Sequence, residues 1–104
     1  MAAVDVAFDV TQLDEVVHGR VRLGILTYLA RTEAADFTEL KAALQTTQGN
    51  LGIHLRKLED AGYISIDKSF LKRKPLTRAR LTKAGRKALT SYLRAMAKLI
   101  DEAY

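Results

Sequence analysis

The chain has 104 residues, of which 48% are hydrophobic, with one proline and no cysteine. This length suits one domain with one core, and the composition is that of a globular protein. Without cysteine there is no disulfide, thiolate nucleophile or zinc ribbon, and His18 and His54 by themselves cannot form a metal site, so we expect no cofactor. Because there is no basic leader and no run of about 20 apolar residues, we expect a cytoplasmic protein without membrane contact.

The net charge of +5 is divided unevenly along the chain. Residues 1–67 carry six Lys or Arg against ten Asp or Glu, whereas residues 68–104 carry eleven against two. The stretch from Lys68 to Lys87 holds nine cations and no carboxylate. Such a stretch is a candidate contact surface for a polyanion, and a solvated basic loop is the alternative.

The first predicted elements are helical. After a loose start at residues 1–10, Thr11 followed by Asp14 predicts a short helix through residues 13–17, which His18-Gly19 interrupts. The chain that follows, from position 20 to about position 30, is too apolar for a surface helix, which predicts a helix buried on two sides.

A pair of shorter helices follows. Asp36 with Glu39 three residues later forms a capping box and opens a helix at 37–44. After a tight connection, Thr47 caps a third helix at 47–61, which Gly62 ends. One stripe of the third helix faces inward while the opposite side is polar and basic, and that stripe consists of Leu51, Leu55 and Leu58.

The remaining elements are a hairpin and a long helix. Alternating runs at 63–68 and 76–81 predict two strands joined by a basic loop at 69–75. Thr82 caps a last helix that runs to the C-terminus with a wide apolar stripe.

This order predicts an α+β fold, mainly α with a small β-hairpin wing: a winged helix-turn-helix with a C-terminal dimerisation helix. The domain assignment is a flexible N-terminus at 1–10, a winged helix-turn-helix DNA-binding domain at 11–82, and a dimerisation helix at 83–104 packed on the same domain.

The second helix of such a pair lies in the major groove with its first side chains at base edges. Gln48 and Asn50 can pair with adenine, and an outward Ile53 can contact a thymine methyl. The alternatives are a plain helix cap, an ordinary surface isoleucine and, for His54, a hydrogen-bonded boundary histidine. The candidate DNA contacts of the recognition helix at 47–61 and its turn are Thr46, Thr47, Gln48, Asn50, Ile53, His54, Arg56 and Lys57.

Two glycines in this helix need an explanation, because glycine is about 1 kcal/mol less favourable than alanine in a helix interior. Close approach of DNA to Gly49 and Gly52 is one explanation, and packing against the preceding helix is the other.

The wing, at about 68–80, is expected to contact phosphates or enter a minor groove. Its candidate contacts are Lys72, Arg73, Lys74 and Arg78.

The last helix has a stripe too wide for so small a domain to bury alone, which predicts a homodimer with two recognition helices about one turn of DNA apart. The alternative is a helix that packs only on the first helix of its own chain. The candidate interface residues are Leu89, Tyr92, Leu93, Met96, Leu99 and Ile100.

Several stretches between residues 12 and 100 resemble single-domain winged-helix regulators close to the MarR and ArsR groups, and they are His18–Leu26, Phe37–Leu40, Gly49–Leu58, Ala61–Ile64 and Leu81–Arg86. The resemblance implies a dimeric, prokaryotic-type transcriptional regulator without a catalytic site. Where this chain has Gly52-Ile53, such proteins often carry Ser or Thr and then a polar residue, so specificity is expected to depend on Thr47, Gln48 and Asn50. Metal sensing is not expected without cysteine or histidine clusters, and no effector is specified.

A winged helix used for protein–protein contact is the alternative function, with the basic wing against an acidic partner. That version would be sensitive to Ile53 and indifferent to Gln48 and Asn50. RNA binding is disfavoured because no exposed aromatic platform is expected. An enzyme is not expected either, since no carboxylate pair, nucleophile with a base, or phosphate-binding glycine loop occurs at useful spacing.

Overall fold

The computed structural model describes residues 9–104, so most of the segment predicted to be loose, residues 1–8, lies outside the described residues. In chain order, the helices are α1 (Arg20–Thr32), α2 (Phe37–Leu44), α3 (Gln48–Asp60) and α4 (Lys83–Ala103). The strands are β1 (Ala34–Asp36), β2 (Ile64–Leu71) and β3 (Lys74–Leu81). Four helices and a small antiparallel sheet confirm the predicted fold class. No helix within residues 9–104 is long and apolar enough to cross a bilayer.

Helix α1 lies at the centre of the core, as its sequence predicts. Ile25, Leu26 and Leu29 have no exposed surface, because α2, α3, α4 and the sheet all pack around this helix. Each such side chain contributes about 1.5–3 kcal/mol by leaving water. Within residues 9–104, the buried apolar side chains are Val17, Ile25, Leu26, Leu29, Ala35, Leu40, Leu51, Leu55, Leu58, Ile64, Ala79, Leu89 and Tyr92.

The connection between α2 and α3 is a helix-turn-helix with the predicted caps. The Asp36 carboxylate accepts a hydrogen bond from the Glu39 N–H at 2.8 Å, which satisfies a free donor of the first turn of α2. Gln45 ends α2 in the left-handed conformation, with φ of 51°, and the Thr47 hydroxyl accepts from the Asn50 N–H at 3.1 Å. The turn is therefore short, and the orientation of α3 is defined by its own cap.

The prediction of a helix through residues 13–17 is wrong. The Asp14 carboxylate accepts from the Val16 and Val17 N–H groups at 2.8 and 3.1 Å, so the chain closes a turn there instead of continuing as a helix. The Tyr63 hydroxyl donates to the other oxygen of Asp14, which ties this turn to the start of the wing. A short 3-10 turn at Val10–Gln12 precedes it, capped by Asp9 rather than by Thr11.

The sheet differs from the predicted two-stranded hairpin in two respects. It has three antiparallel strands in the order β1-β3-β2, with Ala35 paired to Ala79. Strand β1 has three residues, too few to show an alternating pattern. The predicted loop at 69–75 is wrong, because β2 and β3 stay paired as far as Leu71 and Lys74.

The hairpin turn explains that second difference. Lys72 and Arg73 form a two-residue turn with φ of 52° and 68°, the primed geometry that matches strand twist. Such turns usually carry Asn or Gly, so a Lys-Arg pair gives no signal for one in the sequence. The result is an eight-residue ribbon whose outer half extends away from the core.

Helix α4 begins at a tight junction below the wing. The Thr82 hydroxyl accepts from the Gly85 N–H at 3.0 Å and donates to the Gly62 carbonyl at 2.6 Å, which confirms the predicted cap. A Cβ added at Gly85 would overlap the carbonyl oxygen of Tyr63. The close approach of these two segments therefore requires glycine at position 85.

Replacing Gly85→Ala is expected to lower the free energy of unfolding by about 1–3 kcal/mol, because the methyl group forces the backbone of Tyr63 and α4 apart. Gly52→Ala is the matched control within a helix. A Cβ there meets nothing within 4 Å, so we expect a gain of about 1 kcal/mol from helix propensity. Urea unfolding monitored by circular dichroism measures both, and equal stabilities of the two variants would contradict the close contact at Gly85.

Candidate nucleic-acid interface

The first turn of α3 presents polar side chains to solvent. Thr47, Gln48 and Asn50 are all exposed. The Asn50 side-chain amide donates to the Thr46 hydroxyl at 2.9 Å, so the turn before α3 orients the amide at the start of the helix. The Thr47 oxygen caps the helix, which makes its role partly structural. Among the described residues, no hydrogen bond holds the side chain of Gln48, which also extends from this turn.

The outer face of α3 is smooth. Added Cβ atoms at Gly49 and Gly52 would meet nothing within 4 Å, which excludes packing against the preceding helix as the reason for these glycines. Ile53, on the same face, is 58% exposed. The shallow groove along this face is lined by Phe37, Gln48, Gly49, Gly52, Ile53, Arg56, Lys57 and Asp60. The arrangement favours the first explanation, in which a ligand surface comes close to the helix backbone.

His54 is held from inside the molecule. The Arg22 guanidinium donates to His54 Nδ1 at 2.9 Å and, through Nε, to the Val16 carbonyl at 2.6 Å. Since arginine only donates, His54 must accept at Nδ1 and carry its proton on Nε2. Burial lowers the pKa of His54, and the charges of Arg22 and Lys57 lower it further. These contacts favour the boundary-histidine alternative, and no sequence pattern indicates the contact between Arg22 and His54.

The wing places its cations unequally. Lys72, Arg73 and Lys74 are exposed at the tip. Arg78 lies further in, directly opposite Asp36 on β1 and Asp67 on β2. Opposite residues of an antiparallel pair have their Cβ atoms about 4.5–5.5 Å apart, so two carboxylates lie near Arg78. The cations at the tip have no carboxylate opposite them in the strand pairing.

Two large apolar side chains at the wing tip are exposed, and the sequence did not predict a role for either. Phe70 is 75% exposed and Leu71 is 59% exposed. Phe70 is thus an exposed aromatic ring in a region where the sequence predicted no exposed aromatic platform. Continuing the alternation of Ile64 and Ile66 by steps of two through the supposed loop would have indicated a strand position for Phe70.

The wing and α3 share one side of the molecule. Pro75 and Thr77 of β3 line the same depression as Gln48. A second depression brings Lys68 and Thr77 next to Gly52 and Arg56. The face of the wing that carries Pro75 and Thr77 therefore forms a continuous surface with the outer face of α3.

The apolar stripe of α4 divides into two parts. Leu89 and Tyr92 are 5% and 3% exposed in the core of the single chain, and the Tyr92 hydroxyl lies 2.7 Å from His18 Nδ1. These two predicted interface residues therefore require correction: α1 already covers them, because the first half of α4 packs against it. The remaining candidates are Leu93 and Ile100, both exposed, and Met96 and Leu99, both half-buried.

Comparison with known proteins identifies related chains. The pattern of a family described as the winged helix DNA-binding domain matches residues 21–100. An uncharacterized protein of Methanocaldococcus jannaschii is 37% identical over 79 residues, which is 76% of this chain and 86% of that protein. The structure of a transcriptional regulator homologue from Pyrococcus horikoshii OT3 is similar, with a TM-score of 0.81 and 30% identity over 86% of this chain and 89% of that one.

More distant structures share the fold alone. A MarR-family transcriptional regulator from Silicibacter pomeroyi has a TM-score of 0.65 at 18% identity, over 88% of this chain and 59% of that one. An ArsR-family regulator has a TM-score of 0.57 at 20% identity, over 97% of both chains. The family match places this chain among winged helix DNA-binding domains, and these MarR-family and ArsR-family structures share its fold, which confirms the predicted winged helix-turn-helix.

Lowering the pH is expected to destabilise the protein through His54. Its folded-state pKa lies below the ordinary value of 6.5, so between the two values the unfolded chain holds more protons. The stability from this residue is complete above pH 6.5 and is lost as the pH falls toward the folded-state pKa. His54→Gln can still accept from Arg22 but does not titrate, so its stability should fall less on acidification.

Urea unfolding at several pH values around neutrality measures this difference. His18→Gln is the matched control, and it should keep the acid-dependent loss. The same loss in His54→Gln as in the unmodified chain would contradict the role of the Arg22–His54 contact.

Proposed function

This chain belongs to the winged helix DNA-binding domain family, and from that premise we propose that it regulates transcription as a homodimer bound to specific sequences of double-stranded DNA. Helix α3 lies in the major groove and the wing tip contacts phosphates or the minor groove. The regulator homologue from Pyrococcus horikoshii OT3, similar over most of both chains, supports the regulatory role.

One observation carries the proposal: the exposed first turn of α3 and the cationic wing lie on one continuous surface. A duplex has a phosphate backbone on each side of the major groove, so a protein needs polar groups at the groove floor and cations beside it. Gln48 and Asn50 supply the former, and the three tip cations beginning at Lys72 supply the latter. The segment from Lys68 to Lys87 contains no carboxylate. Asp36 and Glu59 line the depressions between the wing and α3.

Different positions on α3 are suited to base contact, to close approach and to phosphate contact. Gln48 and Asn50 carry the donor and acceptor pair that fits adenine in the major groove. Gly49 and Gly52 keep the face low, so the helix axis can approach the base edges closely. Arg56, one turn beyond Gly52 and exposed, is suited to a flanking phosphate.

The second half of α4 supports the homodimer. Leu93 and Ile100 are 46% and 53% exposed on one edge of the helix, beside the half-buried Met96. A two-fold pairing of these edges would cover them and present two α3 helices to successive half-sites of a palindrome.

A protein–protein module remains the second candidate, favoured by the exposed Ile53 and the half-buried Phe37 in the groove of α3. The two functions respond differently to substitution. A protein contact would depend on Ile53, whereas DNA readout would depend on Gln48 and Asn50.

Removing the readout side chains is expected to abolish sequence preference. Fluorescence anisotropy would compare duplex DNA from upstream of the gene with a scrambled duplex at several salt concentrations. Gln48→Ala with Asn50→Ala should weaken binding to the preferred duplex by about tenfold or more and leave binding to the scrambled duplex unchanged.

Removing the wing cations should weaken binding without changing sequence preference. Lys72→Ala with Arg73→Ala should weaken binding to both duplexes alike and, because the dimer carries two wings, lower the slope of log affinity against log salt by about 4. Lys98→Ala, an exposed cation on α4, is the matched control and should change neither. Weak binding of the unmodified chain to both duplexes at low salt would overturn the DNA-binding function and favour the protein module.

Placing a charge on the free edge of α4 is expected to break the dimer. Leu93→Glu buries a carboxylate in the proposed interface, and the mass in solution should fall from twice the chain mass of 11.6 kDa to that of one chain. Ser91→Glu adds the same charge at an exposed position on another side of the helix and should stay dimeric. Light scattering after size exclusion gives the masses, and a monomeric unmodified chain would contradict the homodimer.

A further inference from the structure

The wing tip combines an exposed aromatic ring with cations. Phe70 is 75% exposed and pairs across the ribbon with Pro75, four residue pairs beyond the core-packed Ile66, with one further pair before the turn. No other element covers this end of the ribbon within residues 9–104, since Lys68 to Pro75 are all exposed. A phenylalanine in water adds nothing to the stability of the folded chain, whereas burial of the ring against a ligand would be favourable.

Strand alternation determines which way the ring faces. Phe70 and Lys68 lie on the same face of β2 as Ile64 and Ile66, the face that packs on the core. Leu71 lies on the opposite face. The partners of that first face, Pro75 and Thr77, line the depressions shared with α3, so Phe70 faces the side on which α3 presents its outer surface.

We propose that Phe70, backed by Pro75, is an apolar wedge that enters the minor groove beside the site of α3 and partly unstacks one base step. The inference rests on the proposed function and names what the wing adds to it: DNA bending and a preference for deformable steps. The partner is a polyanion because Lys68, Lys72, Arg73 and Lys74 flank Phe70 in the exposed part of the ribbon, and the segment from Lys68 to Lys87 contains no carboxylate.

The dimensions fit a wedge better than a ribbon lying in the groove. The minor groove is about 6 Å wide, whereas two paired strands with their side chains are wider than that, so only side chains near the tip can enter. Apolar side chains that enter between base pairs kink the duplex toward the major groove, and they favour the flexible pyrimidine–purine steps. The surrounding cations hold the phosphates on either side of the opened step.

The test uses a duplex selected by the unmodified chain from a random pool. Fluorophores at its two ends report bending by energy transfer, and 2-aminopurine at the step protected by the wing reports unstacking. The unmodified chain should bend the duplex and raise the 2-aminopurine signal. Phe70→Ala should lose both effects while its salt slope stays unchanged.

Leu71→Ala is the matched control, since this neighbouring side chain is also exposed but lies on the other face. It should bend DNA as the unmodified chain does. Replacing the flexible step with an A-tract should weaken binding of the unmodified chain and of Leu71→Ala by about tenfold and leave Phe70→Ala unaffected.

Each outcome separates the wedge from the function on which it rests. Tight, sequence-selective binding with equal bending by the unmodified chain and Phe70→Ala would overturn the wedge and leave the regulator in place. Equal losses in Phe70→Ala and Leu71→Ala would overturn the assignment of Phe70 as the wedge. Failure to recover any selected duplex would overturn both proposals and leave the apolar tip to a protein contact.

Discussion

The packing of α3 against α1 is the interaction on which the rest of the structure depends. Leu51, Leu55 and Leu58 fall on one side of α3 and are buried at the centre of the core. Burial of this stripe fixes the rotation of the helix about its own axis, because turning it would exchange leucine for Asn50 or Arg56 in the core. The outer face is therefore determined by the inner one. The candidate interface needs no scaffold of its own, since the same hydrophobic contacts that stabilise the domain orient its polar face.

The wing depends on a second constraint, at its base. The Tyr63 hydroxyl donates a hydrogen bond to the Asp14 carboxylate, and the Tyr63 backbone lies against Gly85. The Thr82 hydroxyl caps α4 and also donates to the Gly62 carbonyl. Because the strands start from this fixed junction, the right-handed ribbon extends in one direction, beside α3 rather than away from it. The exposed tip is then a two-residue turn at the end of paired strands, and this pairing places Phe70 on one face of the ribbon.

The sequence predicted most of the elements because their signals are local. Asp36, Thr47 and Thr82 each precede an amphipathic run, and each proves to be a helix cap. The prediction failed where local signals were weak or competed. Asp14 closes a turn where a helix was expected, and the Lys72-Arg73 turn lacks the usual Gly or Asn. Strand β1 has no pattern of its own because it exists only as a partner of β3.

The sequence by itself determined the order of the helices, the inward stripe of α3, the polar residues at its start and the concentration of cations after residue 68. These features depend on periodicity, capping and charge, which neighbouring residues specify. Only the tertiary structure decided that Arg22 holds His54, that Leu89 and Tyr92 belong to the core, and that Phe70 stands in solvent beside the cations. The reason is physical: an apolar or basic side chain has the same local pattern in a core, an interface or a solvated face, and long-range packing selects among them.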